Sequence, residues 1–152
     1  MPETKCGFTD SQIASGCDSL ELHGPTLLVD IGFAVDYEKT NRVGIPALAT
    51  TRLWALVDTG ATESCIDDDL ALQLNLPVVD RRKVSGVGGI QEVNMYLAHI
   101  HIPSLAFTLY GTFAGVALVS GGQRHYALIG RTFLRHFRMT YDGPTGDVLL
   151  SS

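Results

Sequence analysis

The chain has few cysteines, and their spacing excludes a fold held together by disulfides. Cys6, Cys17 and Cys65 are an odd number at unrelated spacings, which also gives no zinc-binding pattern. Reduced thiols in a cytoplasmic protein are the simplest interpretation. We therefore expect no disulfide, metal or other cofactor in this protein.

Positive charge is scarce as well. The sequence has 11 Lys and Arg residues against 16 Asp and Glu residues, a formal net charge of −5. This excess of negative charge disfavours the binding of phosphate groups, so neither nucleic acid nor an anionic membrane surface is predicted as a partner. The first residues are polar and no apolar segment follows them, which predicts that no secretory signal is present.

Long hydrophobic runs are interrupted. Residues 102–123 carry no charge and are numerous enough to cross a bilayer. However, Pro103 and several glycines, including Gly111, break this stretch, and no flanking pattern of aromatic and basic residues accompanies it. We predict two buried strands joined at Gly111, with a membrane span as the alternative.

What the sequence does contain suits one compact domain. Its 152 residues are 45% apolar, which is enough for a single hydrophobic core. Multiple short strand-like segments between turn residues predict an all-β, barrel-like fold with only two short helices. Residues 1–24 lack a clear period and are predicted to form an N-terminal arm or lead-in, with residues 25–152 as the domain. The residues do not decide whether this arm is a removable pro-segment.

Individual segments allow more local predictions. Strands are predicted at residues 25–35, 42–46, 50–57, 90–102, 105–110, 113–119, 126–129, 138–142 and 147–150. Helices are predicted at residues 67–74, where acids occupy the first turn, and at residues 131–137. A shift in the apolar alternation within residues 90–102 predicts a bulge. In the same strand His99 and His101 point to one side, which suits a solvated polar face or, alternatively, a metal site.

An apolar strand, residues 53–57, ends in Asp58, Thr59 and Gly60. A carboxylate at the end of a buried strand is costly to desolvate unless it is hydrogen-bonded or its pKa moves, so Asp58 is a candidate for chemistry. The same tripeptide also suits an ordinary turn, in which Asp58 accepts local backbone hydrogen bonds and Gly60 supplies a positive φ. Taken by themselves, these residues leave both interpretations open.

Two motifs carry a resemblance to a known family. Residues 57–62, Val-Asp-Thr-Gly-Ala-Thr, resemble the active-site loop of aspartic proteases, and the alanine after the glycine is typical of the retroviral type. Residues 127–131, Ala-Leu-Ile-Gly-Arg, are similar to the signature that follows this loop in retropepsins. Two motifs in family order are more specific than either alone. The resemblance implies a closed β-barrel or sandwich, and the longer N-terminus and the added helix suggest a cellular or bacterial member.

The resemblance also implies a mechanism and a partner. Peptide hydrolysis needs a base to activate water and an acid to protonate the carbonyl oxygen, and in aspartic proteases two adjacent carboxylates share one proton for this purpose. This chain contains one catalytic triplet. The second Asp58 would therefore come from a second copy across a two-fold axis. The prediction is a homodimeric aspartic endopeptidase that acts on peptides or proteins.

Roles for single residues follow from the same resemblance. The catalytic residues would be Asp58, Thr59 and Gly60. The substrate-binding residues would be Ala61, Thr62, Gly86, Val87, Gly88, Gly89, Ile90 and Ile129. The supporting residues would be Leu128, Gly130 and Arg131. In retropepsins an acid usually stands where this chain has Thr62, so Arg131 must find another partner.

The glycines near residue 88 are open to more than one interpretation. The resemblance implies that they form the tip of a flap, a hairpin that closes over the substrate. A plain hairpin turn and a phosphate-binding loop are the alternatives, although the segment lacks the Lys and Ser or Thr of phosphate loops. For the whole protein, the alternative functions are a non-catalytic dimer that binds peptide or protein partners and a metal-binding β-domain that uses His99 and His101.

Overall fold

The structure is a computed structural model that describes residues 2–39, 44–86 and 88–152. Val87, a predicted substrate-binding residue, lies outside these ranges, and so does part of the strand predicted at residues 42–46. The described remainder of that segment, residues 44–46, forms no strand.

The described residues form ten strands, four short α-helices and one turn of 3-10 helix. The strands are β1 (Glu3–Lys5), β2 (Thr26–Gly32), β3 (Thr50–Val57), β4 (Cys65–Asp67), β5 (Val78–Gly86), β6 (Gly89–Ile102), β7 (Phe107–Val116), β8 (Ala127–Ile129), β9 (Arg138–Asp142) and β10 (Asp147–Ser151). The helices are α1 (Gly16–His23), α2 (Val35–Lys39), α3 (Asp68–Gln73) and α4 (Arg131–Leu134), and the 3-10 turn is Pro103–Leu105. The predicted all-β class is confirmed.

Six strands close into a barrel. In the larger sheet the strand order is β2-β3-β8-β4-β7-β6-β5, and β2 also pairs with β6. The long strand β6 makes this closure possible, because its first part pairs with β5 and its last part, at His99 to His101, pairs with β2. The smaller sheet has the order β1-β10-β9.

The N-terminal residues share the core of the barrel. β1 pairs antiparallel with β10, the last strand of the chain. Cys6 and Leu20 are buried in the same cluster as Val148 and Leu150. Loss of residues 1–24 would therefore remove one edge strand and expose apolar side chains of β10. The division of the chain at residue 24 stays a prediction.

Both helices predicted from the sequence are present. Asp67 caps α3 by accepting a hydrogen bond from Leu70 N at 3.2 Å, as its position before the acidic turn predicted. α4 is shorter than predicted and ends at Leu134. α1 was not predicted because its sequence has almost no apolar periodicity. In the structure only Gly16 and Leu20 of this helix are buried. The signal that could have revealed it is the cap, in which the Ser15 side chain accepts from Asp18 N.

Two strand predictions were wrong in detail. β7 runs without a break through Gly111, where the sequence predicted a junction between two strands. The irregularity predicted in β6 lies on its neighbour β5, between Val78 and Asp80. The apparent phase change in β6 has a simpler cause. Its first residues are exposed, whereas residues 98–102 are all buried, because both faces of the strand are covered there.

The solvated polar face predicted for His99 and His101 was also wrong. The two side chains are 0% and 4% exposed. His99 Nδ1 accepts a hydrogen bond from Ala34 N at 3.1 Å, and His101 Nδ1 lies 2.8 Å from Thr108 Oγ1. Over residues 2–39, 44–86 and 88–152, no three metal-ligating side chains come together.

The charge-free stretch at residues 102–123 contains the 3-10 turn, all of β7 and most of the loop that follows it. In the described part of the chain, every helix is too short or too polar to span a bilayer.

Candidate active site

β3 delivers Asp58 to a tight loop at the mouth of the barrel. Asp58 N donates to Ile129 O at 2.9 Å, and Ala61 N donates back to Asp58 O at 3.2 Å. The Asp58 carboxylate accepts from Gly60 N at 2.9 Å through Oδ1. This local hydrogen bond is the one expected for a turn, but Gly60 is not among the positive-φ glycines. Asp58 is half-buried, so part of the residue remains in contact with solvent.

The segment from β8 to α4 holds this loop in place. Arg131 N donates to Ala61 O at 2.9 Å, and Gly130 N donates to Ser64 Oγ at 3.0 Å. A Cβ atom at Gly130 would lie 2.6 Å from Glu63 O, which is closer than any side chain allows. The predicted close passage of the backbone at Gly130 is therefore present, and it needs glycine. Ser64, which is 2% exposed, is a supporting residue that the sequence did not identify.

Arg131 finds its partners within the loop. Its Nη1 donates to Thr59 O at 2.7 Å, and its Nη2 donates to Thr62 Oγ1 at 2.9 Å. The neutral hydroxyl of Thr62 thus takes the place of the acid that retropepsins usually have at this position. The planar guanidinium spans both acceptors at once, so it holds the Thr59 carbonyl before Gly60 and the Thr62 side chain after it.

A cavity of about 580 Å³ opens in front of Asp58. Its wall combines the barrel, the β5–β6 hairpin and the loop after β7. The lining residues are Leu56, Asp58, Cys65, Ala114, Val116 and Leu128 from the barrel, Val84, Ser85, Gly88, Gly89 and Gln91 from the hairpin, and Ala117, Leu118, Gly121 and Gln123 from the loop. Asp58 is the one carboxylate among these described residues.

The structure brings some of the predicted substrate-binding residues to this cavity and not others. Gly88 and Gly89 line it together with Asp58. Ile90 is 74% exposed and Ile129 is fully buried, and neither is part of the lining. Ala61 and Thr62 lie on the loop beside Asp58 without lining the cavity. Leu128, predicted as a supporting residue, lines it directly.

The β5–β6 hairpin is the predicted glycine-rich element. Its two strands pair antiparallel as far as Gly86 opposite Gly89. Gly89 has a φ of 97°, a conformation that favours glycine. Because the loop joins two antiparallel strands and does not open a helix, the phosphate-loop alternative was wrong.

Asp67 holds the loop after β7, and the sequence did not reveal this role. Its side chain is 2% exposed. Oδ2 caps α3, while Oδ1 accepts from Leu118 N at 3.1 Å and from Val119 N at 3.0 Å. The carboxylate therefore ties one wall of the cavity to the start of a helix. The acidic turn at residues 67–69 predicted only the cap, since a contact across 51 residues has no local pattern.

Cys65 gives the cavity an apolar wall close to Asp58. Burial raises the pKa of its thiol to about 11, and the nearby Glu63 and Asp58 carboxylates contribute in the same direction. The thiol is therefore protonated at neutral pH and is a poor nucleophile. A nucleophilic role for Cys65 does not fit this environment.

Comparisons with known proteins identify a family and two structures that this chain resembles. Residues 48–136 match the sequence profile of a family described as "gag-polyprotein putative aspartyl protease". The chain resembles a solved retropepsin-like aspartic protease from Rickettsia conorii, with 12% identity and a TM-score of 0.53 over 97% of this chain and 90% of that one. It also resembles EIAV protease complexed with the inhibitor HBY-793, with 20% identity and a TM-score of 0.45 over 74% of this chain and 86% of that one. No curated protein matches the sequence.

Proposed function

Because this chain belongs to the gag-polyprotein aspartyl protease family, we propose that it hydrolyses peptide bonds as a homodimer with Asp58 of each copy in one active site. One observation carries the proposal. Among the described residues that line the cavity, Asp58 is the only carboxylate, and a glycine-rich hairpin forms one side of this cavity. A hydrolytic site with one carboxylate has a base without its acid, so a second copy is needed.

The proposed chemistry uses two carboxylates that share a proton. The ionised carboxylate takes a proton from water as the water oxygen attacks the scissile carbonyl carbon, and the protonated carboxyl donates its proton to the carbonyl oxygen. The tetrahedral intermediate then breaks its C–N bond: the carboxyl that took the proton from water donates it to the leaving nitrogen, and the other carboxylate takes a proton from a hydroxyl of the intermediate, which becomes the new carboxyl group of the product. Two carboxylates held close together suit this exchange because they cannot both be ionised.

Neighbouring residues would position the reactants. Thr59 is exposed next to Asp58, where it would meet the same residue of the second copy. Gly60 leaves space above the carboxylate, since a Cβ atom there would contact only Asp58 Oδ1 at 3.2 Å. The hairpin tip at Gly88 and Gly89 would cover an extended peptide and exclude water.

The cavity wall points to apolar side chains in the substrate. Leu56, Val84, Val116 and Leu128 line the space near Asp58. Burial of one aliphatic or aromatic side chain contributes about 1.5–3 kcal/mol. We therefore expect cleavage next to hydrophobic residues in preference to charged ones.

A mixed peptide library tests the function directly. The protein is incubated with the library in the presence and absence of a statine-type inhibitor, and the products are identified by mass spectrometry. We expect inhibitor-sensitive cleavage with hydrophobic residues beside the cut. Binding of peptides without cleavage would instead support the alternative of a non-catalytic dimer that binds peptide or protein partners.

Removal of the Arg131 guanidinium should slow catalysis more than it weakens substrate binding. In Arg131→Ala, Thr59 O and Thr62 Oγ1 lose their shared donor, so the loop that carries Asp58 loses its alignment. Misplacement of a catalytic group by about 1 Å reduces the rate on the order of 10²-fold. Steady-state kinetics should show a lower kcat with little change in KM.

A graded pair of variants separates alignment from general damage. Thr62→Val removes only one of the two hydrogen bonds, and Arg131→Lys keeps the charge but cannot span both acceptors. We expect both variants to fall between the wild type and Arg131→Ala. If Arg131→Ala hydrolyses peptides at the wild-type rate, the guanidinium does not position this loop for catalysis.

A further inference from the structure

A hydrogen bond joins the segments that lead into the two neighbours of β3. His23 ends α1 just before β2, and Arg124 lies just before β8; these two strands pair with opposite edges of β3. Arg124 Nη1 lies 2.8 Å from His23 Nδ1, and the His23 ring packs near Phe8 with ring centroids 5.7 Å apart. Because a guanidinium has only donors, Nδ1 accepts this bond and carries no proton. We call the bond between Arg124 and His23 the clasp.

The clasp adjoins the active-site cavity at both of its ends. Gln123, next to Arg124 in the chain, lines the cavity, and so does Leu56 of β3. Gly24, next to His23, approaches Leu56 so closely that a Cβ atom on it would lie 2.9 Å from Leu56 Cδ1. A change in the clasp would therefore act directly on the cavity wall.

The loop after β7 is held near its start and near its end. Asp67 accepts from Leu118 N and Val119 N near the start, and the clasp holds Arg124 near the end. Residues that line the cavity lie between these two points, among them Gln123. Loss of the clasp would therefore loosen this part of the wall while the Asp67 contacts persist.

His125, beside Arg124, adds a second group that responds to acid. It is 4% exposed, and its Nδ1 is buried without a hydrogen-bond partner. Burial lowers the pKa of His125 from its usual value of about 6.5, and Arg124 and His23 lower it further. A protonated His125 would be a buried cation without a partner, which is costly.

The charged groups around the clasp do not offset such a cation. The groups that act on His125 are Arg124 and His23, and both are basic. α1 also carries two exposed acids, Asp18 and Glu21. In the described part of the chain, neither acid forms an ion pair with His23.

We propose that the clasp closes this side of the cavity at neutral pH and opens in acid, as His23 and His125 take up protons. The inference rests on the proposed function, which makes the cavity a substrate site. A protonated His23 cannot accept from Arg124, and the two like charges then repel each other. With the wall loosened, the peptide substrate should bind less tightly.

The direction of the pH response follows from the lowered pKa of His125. The closed form resists protonation of this side chain, so the open form binds more protons. The closed form is therefore fully favoured above the usual pKa of about 6.5, and this advantage is lost as the pH falls toward the lowered pKa.

Amide hydrogen exchange tests the clasp independently of hydrolysis. The probes are Gly122 N and Gln123 N, which donate within the loop to Val119 O at 3.0 Å and to Leu118 O at 2.8 Å. After correction for intrinsic exchange, both should exchange on the order of tenfold faster at about pH 5 than at about pH 7.5. Leu97 N of β6 is the reference amide and should not respond.

Two variants should fix the clasp in opposite states. His23→Asn places an amide oxygen near the position of Nδ1, where it can accept from Arg124 but takes up no proton, so the response should fall below about threefold. Arg124→Met removes the donor, so the loop amides should exchange fast at both pH values. His136→Asn changes an exposed histidine outside the clasp and, as the matched control, should respond like the wild type.

Hydrolysis of a hydrophobic test peptide gives the second readout. Between the same pH values, the KM of the wild type should rise on the order of tenfold relative to that of His23→Asn. The pH profile of kcat should be the same in both, because both retain Asp58.

The inference is overturned if the loop amides show no pH response, if His23→Asn responds like the wild type, or if its KM changes with pH as the wild-type KM does. An equal acceleration at Leu97 would also overturn it, because the whole fold would then be loosening. Hydrolysis by a protein whose loop ignores pH would retain the proposed function and refute the clasp. A pH response that His23→Asn abolishes, in a protein that cleaves no peptide, would do the reverse.

Discussion

Asp58→Asn is expected to reduce peptide hydrolysis by about 10²–10⁴-fold while the fold and the dimer persist. The amide has the size of the carboxylate, and its oxygen can still accept the hydrogen bond that Gly60 N donates at 2.9 Å. The loop should therefore keep its shape. What the variant lacks is a group that can take a proton from water. Hydrolysis kinetics and sedimentation of the same preparation measure both parts of the expectation.

Mixing the variant with the wild type tests whether the site is shared between copies. If each active site takes Asp58 from both chains, an equilibrated 1:1 mixture contains about one quarter wild-type dimer. Its activity should then be about one quarter of that of an equal total amount of wild type. A complete site within each chain would instead leave half of the activity. Undiminished hydrolysis by pure Asp58→Asn would remove the enzyme assignment altogether.

Asp67→Ala should lower the free energy of unfolding by about 3–5 kcal/mol, which is a large loss for a single side chain. The helix cap at Leu70 N is worth about 1 kcal/mol. Leu118 N, in a buried hydrogen bond, and Val119 N, in a part-buried one, would lose their acceptor as well. A buried N–H without a partner costs about 1–3 kcal/mol, and the part-buried one should cost about 1 kcal/mol. Urea unfolding at pH 7 measures the change.

Two further variants separate the roles of this carboxylate. Asp67→Ser can still cap α3, but its short hydroxyl cannot reach Leu118 N, so about 1 kcal/mol of the loss should be recovered. Faster amide hydrogen exchange at Leu118 and Val119 should accompany it. Asp69→Ala, two residues later and exposed, is the control and should cost less than about 1 kcal/mol. An Asp67→Ala variant as stable as this control would show that the carboxylate does not hold the loop.

The elements predicted correctly from the sequence are those with a local cause. The β5–β6 hairpin follows from glycines between two alternating segments, and the α3 cap from Asp67 before an acidic turn. The close passage at Gly130 was predicted from a motif. The bulge in β6 was predicted wrongly because burial on both faces at residues 98–102 imitates a change of phase.

In the candidate site, too, local features were predictable from the sequence and long-range contacts were not. The order of the residues predicts that Asp58 follows an apolar strand and begins a tight loop, although only Ala55 and Val57 of that strand are buried. It does not predict which atoms hold the loop, because Arg131 donates to Thr59 and Thr62 across 72 and 69 residues. Such a contact exists only after the parallel pairing of β3 and β8 has brought the segments together.

By itself, the amino-acid order determined that this chain carries the Asp58-Thr59-Gly60 loop, a glycine-rich hairpin and an all-β core. The reason is that strand, turn and cap preferences act between near neighbours. Only the tertiary structure decided that His99 and His101 are buried and that Met139 and Tyr141 are exposed, although they pair with the buried residues Leu150 and Val148. Burial depends on what the rest of the chain places over a side chain. Here other residues cover Val148 and Leu150 of β10 but leave all five residues of β9 exposed.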